Sequence, residues 1–213
     1  MYNTMETSHN SLWNCEFQYR HHSTKSFPAL LDPFFLNTFF LSVSTTNLAR
    51  ACGANQQQAC PTIQSSLFKA FAASLANDGS LTTGHSHTDG APGLCGVGID
   101  KMTPWWMVDF GYTTSIGGGK LWGRTAVGCA LGCLSRLDGF KIWVGDSSSA
   151  YNATGNRNCY TAKTTEHRVS PFTHAFDCAA NGRYFFIVLT NGKCLSMREI
   201  EIYRLGENFF SPC

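Results

Sequence analysis

From Asn47 onward the chain consists of short apolar stretches separated by clusters of Gly, Asn, Asp and Ser. Such spacing leaves no room for long amphipathic helices and fits a domain of strands joined by tight turns. Strands are expected over Trp105–Phe110, Lys120–Gly123, Phe140–Val144, Tyr184–Leu189 and Glu199–Tyr203. In the last of these, Ile200 and Ile202 alternate with Glu199, Glu201 and Tyr203, the period of a half-buried strand. The single helical candidate, Phe68–Leu75, is stopped by Asn77-Asp78-Gly79, a strong turn signal. With charged residues at only 14% and aromatics at 13%, the chain reads as an all-β antiparallel β-sandwich of one domain, residues 47–204. An N-terminal segment (1–46) and a short C-terminal tail (205–213) flank it.

The N-terminal segment holds the longest apolar run, Phe27 to Val43, after Arg20, His21, His22 and Lys25. That order resembles a secretion signal, although Asp32, Pro33 and Asn37 interrupt it; a packed N-terminal arm is the other reading. The run falls short of the roughly 20 apolar residues a membrane span needs. Ten cysteines without doubled CxxC spacing point to disulfides, and so to an oxidising, extracellular compartment. The sequon Asn152-Ala153-Thr154 agrees with secretion. A net charge of +2 with no basic run gives nucleic acid nothing to follow. Nucleophile-elbow, zincin, phosphate-loop and dinucleotide motifs are all missing from the sequence, so a binding protein is expected and not an enzyme.

Seven pieces then fall in a telling order: Asn47-Leu48-Ala49, Gln64-Ser65-Ser66, Ala76-Asn77-Asp78-Gly79, Pro104-Trp105-Trp106-Met107-Val108-Asp109-Phe110, Arg136-Leu137-Asp138-Gly139-Phe140, Gly182-Arg183-Tyr184 and Glu199-Ile200-Glu201-Ile202-Tyr203. As an ordered set they resemble the F-type lectins, within the wider discoidin-like group. The resemblance implies a jelly-roll fold with ligand loops at one end, a structural calcium ion (Ca2+), and recognition of terminal L-fucose. Fucosylated glycans on glycoproteins or cell surfaces would be the partners, with homo-oligomerisation possible. The alternative is a discoidin-like adhesion module that has lost sugar binding and recognises protein or lipid.

A sugar offers hydroxyls that donate and accept, plus a patch of C–H surface, so its site needs fixed polar forks and an apolar wall. The resemblance assigns the forks to Arg124 and Arg136. Between them the turn is long, Ala126 replaces the family's aspartate, and its adjacent cysteines have become Cys129 and Cys133. Val97 occupies the family's histidine slot. His87, from His85-Ser86-His87 in the same loop, is the substitute expected to fold back toward the arginines; a metal-binding histidine pair and an exposed loop are the competing readings. For calcium the resemblance points to Asp78, Ser80 and Glu199, oxygen donors suited to a hard cation. It also suggests the bridges Cys159–Cys178 and Cys95–Cys194; Cys52–Cys60 and Cys129–Cys133 are expected beside them. Trp105 and Trp106, adjacent on one strand, must point to opposite faces. Asp109 is expected to partner a backbone or arginine group.

Overall fold

Two long strands dominate the architecture, and their alternating side chains determine where the core lies. The structure, a computed structural model, describes residues 46–82, 84–88, 103–124, 133, 135–163, 173–190 and 194–206. All of these belong to one contact unit, Val43–Phe209. The strands are β1 (Thr62–Gln64), β2 (Ser86–His87), β3 (Trp105–Gly123), β4 (Lys141–Gly145), β5 (Arg157–Thr161), β6 (Thr173–Val188) and β7 (Ser196–Arg204). Strands β3 and β6 pair antiparallel from Trp105↔Val188 to Trp122↔Thr173, with irregularities between Asp109 and Thr114 and between Ile116 and Gly118. Bulges of this kind bend a strand and sharpen its twist.

The bent pair serves both layers of the sandwich. The first half of β3 takes β1 on its other edge, with Thr62 opposite Val108, whereas the second half takes β7, with Leu121 opposite Ile200. The second half of β6 pairs with β4, which carries β5, and β2 lies outside β7. The sheet order is β2-β7-β3-β6-β4-β5, with β1 attached to β3. Trp106, Phe140, Ile142, Phe185 and Ile187 from one half pack in a single buried cluster with Leu121, Phe176, Met197, Ile200 and Ile202 from the other. Burial of each such side chain contributes about 1.5–3 kcal/mol, which is what closes the sandwich.

Several sequence expectations change here. The expected strands Trp105–Phe110 and Lys120–Gly123 are the two ends of one strand, because the intervening glycines are not a turn. A Cβ on Gly119 would lie 2.1 Å from the Glu201 carbonyl oxygen, so glycine there lets β7 approach. The expected helix Phe68–Leu75 shrinks to a 3-10 turn at Ala73–Ala76. Its first residues give their backbone groups to β2 instead: Phe68 N donates to His87 O at 3.1 Å, and His87 N donates to Phe71 O at 3.1 Å.

Other expectations hold. Trp106 is fully buried, and its indole N–H donates to Ala73 O at 2.9 Å; Trp105 lies on the outer face, edge-on to Phe186. Arg183 clamps Asp109 with two donors, Nε at 2.7 Å and Nη2 at 2.8 Å, which holds that carboxyl below its usual range. Disulfides join Cys52 to Cys60 and Cys159 to Cys178. Cys133 and Cys194 are also disulfide-bonded, and the partners expected for them, Cys129 and Cys95, lie outside the described residues. Among the described residues no helix is long and apolar enough to cross a membrane.

Candidate functional site

The site is assembled where β2, β7 and the end of β3 lie side by side. Ser86 and Gly123 both pair with Met197, from opposite sides of β7. This register brings His85 and His87, Ser196 and Arg198, and Arg124 to one edge of the sheet. Arg136 arrives from the 3-10 turn Ser135–Leu137, whose Leu137 is buried and whose carbonyl accepts from Phe140 N. Burial of Leu137 and Phe140 thus fixes the turn that carries the arginine.

His87 is almost completely buried, at 1% exposure, and not in an exposed loop. Its Nδ1 lies 2.6 Å from Thr88 O and its Nε2 lies 2.8 Å from Arg136 Nη1. A carbonyl only accepts and a guanidinium only donates, so the partners assign a neutral ring with the proton on Nδ1. Burial is the main cause that lowers its pKa to about 4, with Arg136 and Arg124 adding to it. His85, likewise lowered to about 4 chiefly by burial, stacks on Phe71 at 4.2 Å. Arg124 lies over the same ring at 5.9 Å, a cation–π distance.

His85 Nε2, Arg124 Nε and Ser196 Oγ are among the buried polar atoms of this neighbourhood that have no hydrogen-bond partner. Orphans of this kind are costly, and a polar ligand or ordered water would satisfy them. Gln64 supports the site from below. Its Nε2, with two hydrogens shared among three acceptors, lies 2.7 Å from Ser66 O, 2.9 Å from His87 O and 3.1 Å from Phe71 O.

Of the expected sugar residues, Arg124, Arg136 and His87 are therefore brought together, with His87 gripping Arg136. His85, Arg198 and Phe71 were missed. The i, i+2 spacing of the histidines was a usable signal for His85, whereas nothing in the sequence marks Phe71 as a wall. Among the described residues no group of three or more His, Cys, Asp or Glu side chains is placed to hold a metal, either at the histidines or at the turn after Ala76.

The second expected cluster forms at the turn after Ala76. Gly79 has φ of +81°, a conformation glycine adopts without strain, and its N–H donates to Glu199 Oε2 at 3.1 Å. Asp78 Oδ1 accepts from Ser80 N at 2.8 Å. Asn77 Nδ2 ties the turn down through Ala49 O at 2.9 Å and Cys60 O at 3.0 Å. Glu199 is buried with Oε1 unpartnered, and Asn77 Oδ1 is unpartnered too. Burial, followed by the charge of Asp78, pushes the Glu199 carboxyl up to about 8. Orphaned carboxylate and amide oxygens beside a second acid fit a hard cation.

A bent antiparallel sandwich with a polar, cation-lined site at one edge is the architecture of the discoidin-like group, and similarity to known proteins supports a lectin-like, carbohydrate-binding domain. The model of the NedA-like, galactose-binding domain of the F5/F8 type C group matches residues 75–187, more than half of the sequence, and the chain belongs to that family. It is similar to a fucolectin from striped bass (Morone saxatilis) serum, at 25% identity and a TM-score of 0.56, covering 76% of this chain and 48% of that one. The chain thus spans about half the length of that relative. A fucose-binding module of Streptococcus pneumoniae aligns at 23% identity and a TM-score of 0.53, over 75% of this chain and 96% of that one. A Clostridium perfringens module in complex with GalNAc-β-1,3-galactose aligns at 10% identity and a TM-score of 0.52, over 75% and 99%. The last two show the fold alone. No curated protein sequence matches the chain.

Proposed function

We propose that the domain binds terminal L-fucose or a closely related glycan, in a secreted protein stabilised by a calcium ion. The observation that carries this reading is the meeting of Arg124, Arg136 and the His85/His87 pair around buried polar atoms that lack partners. Guanidinium forks donate to sugar hydroxyls and ring oxygen, and His87 holds one fork at a fixed angle. Phe71, beneath His85 and Arg124, supplies apolar surface for the C–H face of the sugar. The striped bass fucolectin, at 25% identity, supports fucose over other sugars. Asp78 and Glu199, with Ser80 and the carbonyls of their turn, are the residues that would hold calcium. The ion would supply the positive charge that two neighbouring acids need, and so pin the turn to β7.

Titration of the full chain with L-fucose, with and without calcium, tests this reading. Saturable binding is expected. A folded protein that bound no fucosylated glycan would overturn it in favour of the adhesion-module alternative.

A further inference from the structure

The loop 146–156 joins β4 to β5, and its own side chains brace it. Asn156 Oδ1 accepts from Ser147 N at 3.1 Å, and Asn156 Nδ2 donates to Ser147 O at 2.9 Å and to Ala150 O at 2.8 Å. Inside that brace the backbone makes two successive turns, Ala153 N donating to Ala150 O at 3.1 Å and Asn156 N to Ala153 O at 2.9 Å. Tyr151 meets Trp143 edge-on at 5.6 Å on the outer face of the sheet, while Asn152 and Thr154 are exposed. The side-chain hydrogen bonds of the loop come from Ser147, Ser149 and Asn156, and among the described residues Asn152 and Thr154 make none. The fold therefore does not use this amide or this hydroxyl.

Asn152-Ala153-Thr154 is also the only Asn-x-Ser/Thr triplet in the sequence. Its place in the sandwich matters as much as its exposure. Asp146 Oδ1 accepts from Thr113 Oγ1 at 2.8 Å and from Arg183 N at 2.9 Å, which ties the loop to the bend of β3 between Asp109 and Thr114. Arg136 precedes the opposite end of β4, and a strand of five residues spans about 16 Å. Gly123 and Arg124 likewise lie at the far end of β3 from that bend. A bulky group on Asn152 would thus stand at the end of the sandwich away from the arginines.

We propose that Asn152 is a site of N-linked glycosylation, carried on the end of the sandwich remote from the sugar site. The inference rests on the secreted reading above and not on fucose recognition. In the transfer, Asn152 Nδ2 forms a bond to the anomeric carbon of an oligosaccharide carried on a lipid diphosphate. The bond from that carbon to the diphosphate breaks, the lipid diphosphate leaves with its electron pair, and the amide gives up one proton. For the test, the full chain is produced in a eukaryotic secretory cell line in two forms, with its own N-terminus and behind an added cleavable signal. Mass spectrometry then follows the peptide containing residue 152 before and after peptide N-glycosidase. A glycan-bearing peptide is expected, and the enzyme should release the glycan and leave aspartate at that position. Asn152→Gln and Thr154→Ala should each abolish the modification, and Thr154→Ser should retain it. L-fucose affinity before and after release of the glycan should agree within about twofold, as for independent, distant sites. Folded, secreted protein with Asn152 unmodified overturns the inference, as does a modification that survives Thr154→Ala. A change in affinity of about tenfold on release overturns the remote placement. If only the form behind the added signal is modified, the secreted reading fails and the site stands. If both forms are modified and neither binds L-fucose, the fucose reading fails and the site again stands.

Discussion

His87 shows how a single residue changes role between sequence and structure. The sequence offers it as a sugar contact, but both of its ring nitrogens are spent, one on Thr88 and one on Arg136. In the proposed site it would act on a ligand through the arginine it grips, and His85 Nε2 is the ring nitrogen without a partner. Arg124→Ala or Arg136→Ala removes a charged donor from bound sugar, a loss of about 1.5–3 kcal/mol, so each should weaken L-fucose binding more than tenfold by calorimetry. Arg124→Lys should also bind poorly, because an ammonium has no fork. His87→Ala should approach the same loss by releasing Arg136, and a wild-type affinity would refute the gripping role. Both histidines have folded pKa values of about 4 against 6.5 when free, so the unfolded chain binds more protons between those values. Their contribution to stability is fully present above pH 6.5 and is lost as pH falls toward 4. Thermal midpoints measured across that window should fall, and the fall should be shallower in a His85→Gln, His87→Gln double variant.

At the scale of elements, length did not decide what was legible: Phe140–Val144 was read and largely coincides with β4, whereas the alternating first half of β6, from Thr173 to Gly182, was not. Glu199–Tyr203 was read from its alternation and lies within β7. Thr62–Gln64 and Ser86–His87 are too short to carry a pattern, and with Arg157–Thr161 they pair onto the edges of β3, β7 and β4. Backbone pairing also ended the expected helix at Phe68–Leu75, since β2 took its backbone partners. Gln64 joins these elements by bonding the backbones of Ser66, Phe71 and His87. Gln64→Ala removes the side-chain donor from Ser66 O, while His87 O and Phe71 O keep the backbone donors Phe68 N and His87 N, so a stability loss of about 1–3 kcal/mol in denaturant titration is expected. Sugar affinity should fall several-fold as well, although Gln64 has no assigned ligand contact. A stability loss with unchanged affinity would show that the platform is rigid without it.

For the molecule as a whole, β7 joins the two clusters: Glu199 accepts from Gly79 in the turn after Ala76, and Ser196 pairs with His87. A cation that binds only the folded turn stabilises the fold by mass action. Excess chelator should therefore lower the thermal midpoint, and Asp78→Ala should remove that dependence. A melt unchanged by chelator would mean that the hydrogen bonds of Gly79 and Ser80 hold the turn unaided.

Period, turn chemistry and motif order are properties of neighbouring residues, so the sequence by itself determined the all-β class and the lectin resemblance, and the Cys52–Cys60 and Cys159–Cys178 bridges expected beside them are formed. Only tertiary structure decided that one bent strand serves both layers, that Phe71 lies beneath His85 and Arg124, and that β2 sets His87 opposite Ser196. Those relations join residues far apart in the chain, and they are set by which strand edges and buried surfaces remain available once the core has closed.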